Sequence, residues 1–344
     1  MIAKNQDSVV RKILGVIKRH QRFFITGHVR SDGDCLGSEL ALARMLSQMG
    51  KSIYIMNAGP ISKELLFMPG VKQVKKYRKH KKLPSDIDVI FVLDSEGLNR
   101  LEEMEDNICE KINIRNNLKQ EKPVVVNIDH HPDNVNFGDI NWVDSKMSSV
   151  GEMMYILIKH SGIDIDKDIA TNIYISIDTD TGHFCFESTT PRSHLIAADL
   201  LRRGINIRDI YKGIYEDKTY GEMKLFVECL RRIKLSLNGK VGWSLLTRRM
   251  YKQCGAEPSD SQNYIAQIKA VKGVKIALLF RETTGNPLLI KVSIRTDNSI
   301  DANKLVRALG GGGHNRAAGL TLKPPMKEAC QELMQHIKKM VVFN

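Results

Sequence analysis

The first half of the chain alternates short uninterrupted apolar runs with segments whose apolar residues recur at helical spacing. The runs at 22–26 (RFFIT), 52–56, 88–93 (DVIFVL) and 123–128 (PVVVNI) read as strands, and 9–18, 37–49, 149–160 and 169–177 read as helices. Strands covered on both faces carry continuous apolar stretches, so this alternation restricts the first half to an α/β fold with a doubly wound parallel sheet between helices. Such a sheet gathers its ligand-binding loops at the carboxyl ends of its strands.

The second half is patterned differently. Residues 199–235 read as a mostly helical, charge-rich connector. Beyond it, 241–246, 274–281, 288–295 and 319–322 read as strands, and 261–271, 301–309 and 326–340 as helices, a smaller mixed α/β domain. The expected division is therefore 1–198, 199–235 and 236–344, which gives 344 residues two cores at roughly 100–200 residues per domain. Charge divides the same way. Residues 1–190 hold 25 Lys+Arg against 26 Asp+Glu and residues 191–344 hold 27 against 13, so the formal +13 resides in the second half and points to a polyanionic partner.

The six cysteines are scattered without a C-x-x-C pair, which excludes a disulfide framework or zinc ribbon and suits a reducing compartment. No apolar run approaches the roughly 20 residues of a membrane span, and the N-terminal apolar residues lie at helical spacing rather than in a signal-peptide core. A cytoplasmic protein with no membrane partner is expected. The basic run 72–82 reads as a solvated connection between strands or a phosphate-facing one.

Four places put Asp or His directly after a strand or helix. His28, Asp32 and Asp34 share a loop turned by Gly33, which could equally cap the following helix. Asp94 ends the run VIFVLD, where it could simply begin a turn. Asp129, His130 and His131 follow VVVNI, and burying three titratable groups together is costly unless a cation pairs with them. Asp178 and Asp180 precede Gly182. Carboxylates mixed with imidazoles and no thiolate suit Mn2+, with Mg2+ or Fe2+ as alternatives, over structural zinc, and so many acids call for two divalent cations. In the second half, Gly310 to Gly313 form a loop without side chains whose amides can approach a phosphate, or else a tight turn.

The motifs HVRSDGD, LDS, IDHH, TDTGHF and GGGGHNRAAG, in this order from about residue 22 to residue 320, resemble the DHH phosphoesterase superfamily. The likeness is to its nanoRNase and pAp-phosphatase type, with a DHH-associated C-terminal domain. That resemblance implies that His28 and Asp32 hold one Mn2+, that Asp34, His130 and Asp180 hold the other, and that Asp94 bridges both. It also implies that His131 sits beside the scissile phosphate with Asp129 orienting the histidine pair, and that Asp178 is a capping or outer residue. Gly311, Gly312, Gly313 and His314, with Arg281, Arg295 and Arg316, would hold the far end of the substrate in a catalytic cleft between the domains. Ser31 departs from the family, which often has Pro there.

The implied activity is hydrolysis of short single-stranded oligoribonucleotides to mononucleotides, together with removal of phosphate from pAp. Cyclic di-AMP or linear dinucleotides are alternative substrates, and a non-catalytic nucleotide sensor is the alternative from another class. A family pyrophosphatase would lack the GGGH domain, and a RecJ-type exonuclease would be longer. No protein partner is required, and the resemblance permits a monomer or a homodimer.

Overall fold

The computed structural model describes residues 4–78, 83, 84, 86–113, 122–261, 263–285, 287–313, 315–323 and 325–341. Two compact units, Met1–Asp217 and Lys218–Asn344, make up the chain. The expected connector 199–235 is divided between them.

In the first unit the apolar runs become the middle of a sheet. Helix α1 (Lys4–Arg19) leads into β1 (Arg22–Gly27), α2 (Gly33–Gln48), β2 (Ser52–Asn57), β3 (Val74–Lys76) and β4 (Val89–Leu93). Then follow α3 (Glu105–Asn113), β5 (Val124–Asp129), β6 (Ile140–Val143), α4 (Val150–Ser161), α5 (Lys167–Asp180), α6 (Pro191–Arg202) and α7 (Ile207–Tyr211), which runs into a π-turn at Lys212–Glu216. The strand order is β3-β2-β1-β4-β5-β6 and every pairing is parallel. Successive residues of a strand serve opposite cores: Phe23, Ile25 and Phe91 pack with α2, α4 and α5, whereas Phe24, Ile90 and Val92 pack with Leu101, Met104 and Ile108. This is the doubly wound sheet expected from the alternation.

Order reverses between β1 and β4, and that switch point is where such sheets bind ligands. Register sharpens the point. Gly27 pairs with Leu93 and Leu93 with Ile128, so the next residues, His28, Asp94 and Asp129, leave neighbouring strands side by side. The edge strands β3 and β6 were not expected, because they are too brief to show a period, and helix α3 was not expected either. Residues 79–82 of the basic run lie outside the described residues, and 74–76 form β3.

The second unit contains α8 (Tyr220–Arg231), β7 (Lys234–Ser236), β8 (Val241–Leu246), α9 (Arg248–Cys254), α10 (Tyr264–Lys269) and β9 (Ile276–Glu282). It continues through β10 (Ile290–Thr296), α11 (Ala302–Arg307), β11 (Gly312–Gly313), β12 (Ala317–Leu322) and α12 (Met326–Met340). Its sheet, β11-β12-β10-β9-β8-β7, is mixed: β8 and β9 are parallel and the other pairs antiparallel. One face packs Phe280, Val292 and Leu320 on Leu305, Leu333 and Ile337, and the other packs Ala277 and Leu279 on Leu225, Met250 and Ile265. Among the described residues no helix is long and apolar enough to cross a membrane.

Helices α2, α4 and α5 pack closely behind the switch point. A methyl group at Gly151 would lie 1.8 Å from Ser176 Oγ and 2.5 Å from its Cβ. Overpacking of this kind costs about 1–3 kcal/mol. Gly151→Val is therefore expected to lower the melting temperature by roughly 5 °C, measured by calorimetry or circular dichroism.

Candidate metal centre

Asp94 is the hub of the site. It leaves β4 at 3% side-chain exposure with φ at 53°, the left-handed region that a non-glycine residue rarely enters. Its Oδ2 lies 3.3 Å from His28 Nε2, and its Oδ1 lies 3.7 Å from His130 Nε2 and 3.5 Å from His131 Nδ1. One oxygen thus faces His28 and the other faces His130 and His131. Oδ1 is buried without a hydrogen-bond partner, an arrangement that a cation would satisfy.

The loop after β1 supplies two more carboxylates. Asp32 caps α2, its Oδ1 accepting from the amides of Asp34 and Cys35 at 3.1 Å each, while Oδ2 lies 3.8 Å from His28 Nε2. Capping and ligand readings of this loop therefore hold together, one oxygen for each. Ser31 braces the loop by donating to the His28 carbonyl at 3.1 Å and accepting from Asn57 at 3.0 Å.

Asp34 is 1% exposed and accepts from the amides of Val150 and Gly151 at 2.9 and 3.0 Å, from Ser38 at 3.2 Å and from Ser176. The first turn of α4 thus presents its free N–H groups to this carboxylate. Its Oδ2 lies 3.7 Å from His130 Nε2, and Asp180 Oδ2 lies 3.4 Å from the same nitrogen. The other ring nitrogen of His130 faces the Met147 carbonyl at 3.4 Å. A backbone acceptor there leaves Nε2 to ligate.

Asp129 holds His131 rather than joining the ligand cluster. Its Oδ1 takes His131 Nδ1 at 2.7 Å and the His130 amide at 2.8 Å, and Oδ2 takes Asn134 at 2.6 Å. Burial alone would raise the Asp129 carboxyl, but the His131 hydrogen bond and charge and the Asn134 hydrogen bond outweigh it and hold it below its ordinary value. Burial likewise opposes charge on His131, yet Asp129, Asp94 and Glu96 push it up to about 9.

Among the described residues, three groups of potential ligand atoms, each within 4.8 Å, come together: Asp34, His130 and Asp180; Asp94, His130 and His131; and His28, Cys35 and Asp94. Each of the six metal ligands expected from the sequence has its carboxylate or imidazole within 4 Å of another of the set. Cys35 was missed by sequence reasoning, which read a set without sulfur. Burial, with Glu39 and Asp94 beside it, pushes its thiol well up, and the chemistry remains that of carboxylates and imidazoles. These donors fit hard or borderline divalent cations.

Crowding shows in the acids. Burial and then the charges of Asp94 and Asp180 push Asp34 well up, and burial with Asp94 and Asp32 pushes Asp180 up to about 7 against the pull of His130. Of the two roles expected for Asp178, capping or outer residue, the second agrees with its place: it is buried outside the ligand groups and bonds His183 and Tyr215.

In the second unit, Arg281 pairs with Lys291 across β9 and β10, which places it on the face of Lys291, Ser293 and Arg295, and it donates to Ser293 Oγ at 2.5 Å. Burial and the like charge of Arg281 hold Arg295 below its ordinary value. Tight packing explains two of the glycines, since a Cβ at Gly311 would lie 2.7 Å from the Gly319 carbonyl and one at Gly313 2.4 Å from that of Ala317. Gly312 is exposed and open. Arg316 is exposed beside β12, and His314 lies outside the described residues.

Protonated Asp180 must lose its proton to accept a cation. Divalent-cation affinity is therefore expected to fall as pH drops below about 7, with proton release on binding. Titration calorimetry in two buffers of different ionisation enthalpy checks this; identical heats at pH 6 would contradict it.

Residues 22–177 match the model described as DHH family, N-terminal domain, and residues 244–342 match the DHHA1 domain. A protein of Thermus thermophilus named bifunctional oligoribonuclease and PAP phosphatase NrnA is 29% identical over 320 residues, covering 92% of this chain and 89% of that one. The Bacillus subtilis protein of the same name is 25% identical, covering 90% and 92%. An exopolyphosphatase-related protein from Bacteroides fragilis has a solved structure that superposes with a TM-score of 0.89 at 27% identity, covering 97% and 96%. With a DHH domain built around this acidic and histidine cluster and a DHHA1 domain after it, the chain belongs to the DHH family of phosphoesterases.

Proposed function

We propose that this chain is a manganese-dependent phosphoesterase that hydrolyses oligoribonucleotides a few residues long to mononucleotides and removes phosphate from pAp. The observation that carries this reading is Asp94, with one oxygen toward His28 and the other toward His130. It is supported by the relatives named for those two activities.

His28, Asp32 and Asp94 would hold one cation, and Asp34, His130, Asp180 and Asp94 the other. Bound there, the cations supply Lewis-acid stabilisation of charge on phosphoryl oxygens. The chain's own residues supply the rest. Asp129 engages Nδ1 of His131, which leaves Nε2 as the atom that exchanges a proton with the leaving oxygen. Asn134 keeps the Asp129 carboxylate turned toward that ring. The amides of Val150 and Gly151 hold Asp34 in one orientation, so the donor set is preorganised. Arg281, Arg295, Arg316 and the glycines 311–313 with His314 are the proposed binders of substrate phosphate, guanidinium forks matching phosphate oxygens.

Turnover of pAp, pApA, trimeric RNA, long RNA and cyclic di-AMP with Mn2+ tests the reading. Short RNA and pAp should be preferred, and Asp94→Asn should reduce kcat by roughly three orders of magnitude, a loss of several kcal/mol, with unchanged circular dichroism. Long RNA cut as fast as dimers, a preference for cyclic di-AMP, or normal turnover by Asp94→Asn would overturn it.

A further inference from the structure

The loop after Asp180 carries an oriented imidazole that the metal centre leaves unused. Asp178 is buried and accepts from His183 Nδ1 at 2.7 Å through Oδ1 and from the Tyr215 hydroxyl at 2.8 Å through Oδ2. Burial and the Asp178 charge push the Tyr215 phenol up, so it stays a donor. The rings of Tyr211 and Tyr215 lie 5.4 and 5.5 Å from that of His183. Gly182, His183 and Phe184 all take positive φ, at 56°, 59° and 60°. For the two non-glycine residues that backbone is unfavourable and persists only where its surroundings enforce it. Yet the His183 side chain is 47% exposed. A buried carboxylate, a strained loop and an aromatic wall thus fix the direction of one solvent-facing ring.

The arrangement repeats what Asp129 does for His131. Both carboxylates are buried, both take Nδ1 at 2.7 Å through Oδ1, and both give Oδ2 to a neutral donor, Asn134 in one case and Tyr215 in the other. In each, the carboxylate engages Nδ1 rather than Nε2. His183 follows Asp180 by three residues, which span at most about 11 Å of chain. It therefore stands within a dinucleotide's length of the metal centre.

We propose that His183 is a substrate-positioning residue: held by Asp178 through Nδ1, it presents Nε2 to a second phosphate of the bound nucleotide, beyond the one that is cut. The proposal rests on the phosphoesterase reading above and assigns a recognition contact within the first unit. Imidazole suits the role because its single outward nitrogen meets one phosphate oxygen, and the Asp178 carboxylate behind it keeps the ring from turning away.

Steady-state kinetics on pApA and ApA, which differ in a terminal phosphate, test it. His183→Ala should raise KM for pApA roughly tenfold with kcat nearly unchanged and leave ApA unaffected, so that the preference for pApA over ApA falls by the same factor. Asp178→Asn, which loosens the ring without removing it, should reduce the same preference partially, and Mn2+ affinity followed by electron paramagnetic resonance should be unaltered in the His183 variant. Retained preference for pApA, or an equal loss on both substrates, would overturn the proposal alone. If the wild-type chain hydrolyses neither substrate, the functional reading beneath it falls as well.

Discussion

The row Gly27, Leu93 and Ile128 across β1, β4 and β5 is the constraint on which the site depends. Parallel strands in register end together, so whatever follows them must share one small volume. Here that is His28, Asp94 and Asp129, and the reversal of strand order between β1 and β4 leaves no crossover helix covering the space above them. Like charges confined in this way repel. The fold tolerates them because the strands below are locked by apolar cores on both faces, Phe23 and Phe91 on one side and Phe24 and Ile90 on the other.

A second layer of order comes from helix ends. The free amides of α4 reach Asp34 across a sequence separation of more than a hundred residues, and they do so only because α2, α4 and α5 pack with glycine at the contact. The carboxylate is therefore aimed by the same packing that closes the core. Asp32 divides its two oxygens between capping α2 and facing His28, so the helix that carries Asp34 begins at the site itself. Stability and ligand geometry are coupled through these few hydrogen bonds.

Much of this was legible in the chain alone, for identifiable reasons. Apolar runs of five or six residues rich in β-branched and aromatic side chains read as strands buried on both faces, and a His or Asp just past such a run falls at a strand end by covalent connection. The candidate ligands were accordingly visible as residues. Their supports were not, since Val150 and Gly151, Asn134, Ser176 and Tyr215 reach the site by tertiary packing that leaves no local pattern. The same limit hid Cys35, read as one of several scattered thiols although helix α2 turns it toward His28 and Asp94. It also hid the partner of Asp178, because Tyr215 lies on a separate turn. Among the glycines, close contact with Gly319 and Ala317 accounts for Gly311 and Gly313, whereas Gly310 and Gly312 keep the openness that a phosphate-approaching loop requires.

The acids separate into two kinds by what surrounds them. Asp129 faces a histidine and an asparagine, which outweigh burial and keep it ionised, so it orients His131 at any working pH. Asp34 and Asp180 face other carboxylates, and burial adds to the repulsion, so both are pushed up toward the protonated form. Their proton affinity measures the positive charge that the cluster lacks. Hydrogen bonds from Val150, Gly151 and Ser176 reduce the deficit at Asp34 without removing it, because amides and hydroxyls supply partial charges only. A divalent cation supplies whole ones, and it displaces those protons from a set of donors whose positions the sheet and the α4 amides have already fixed.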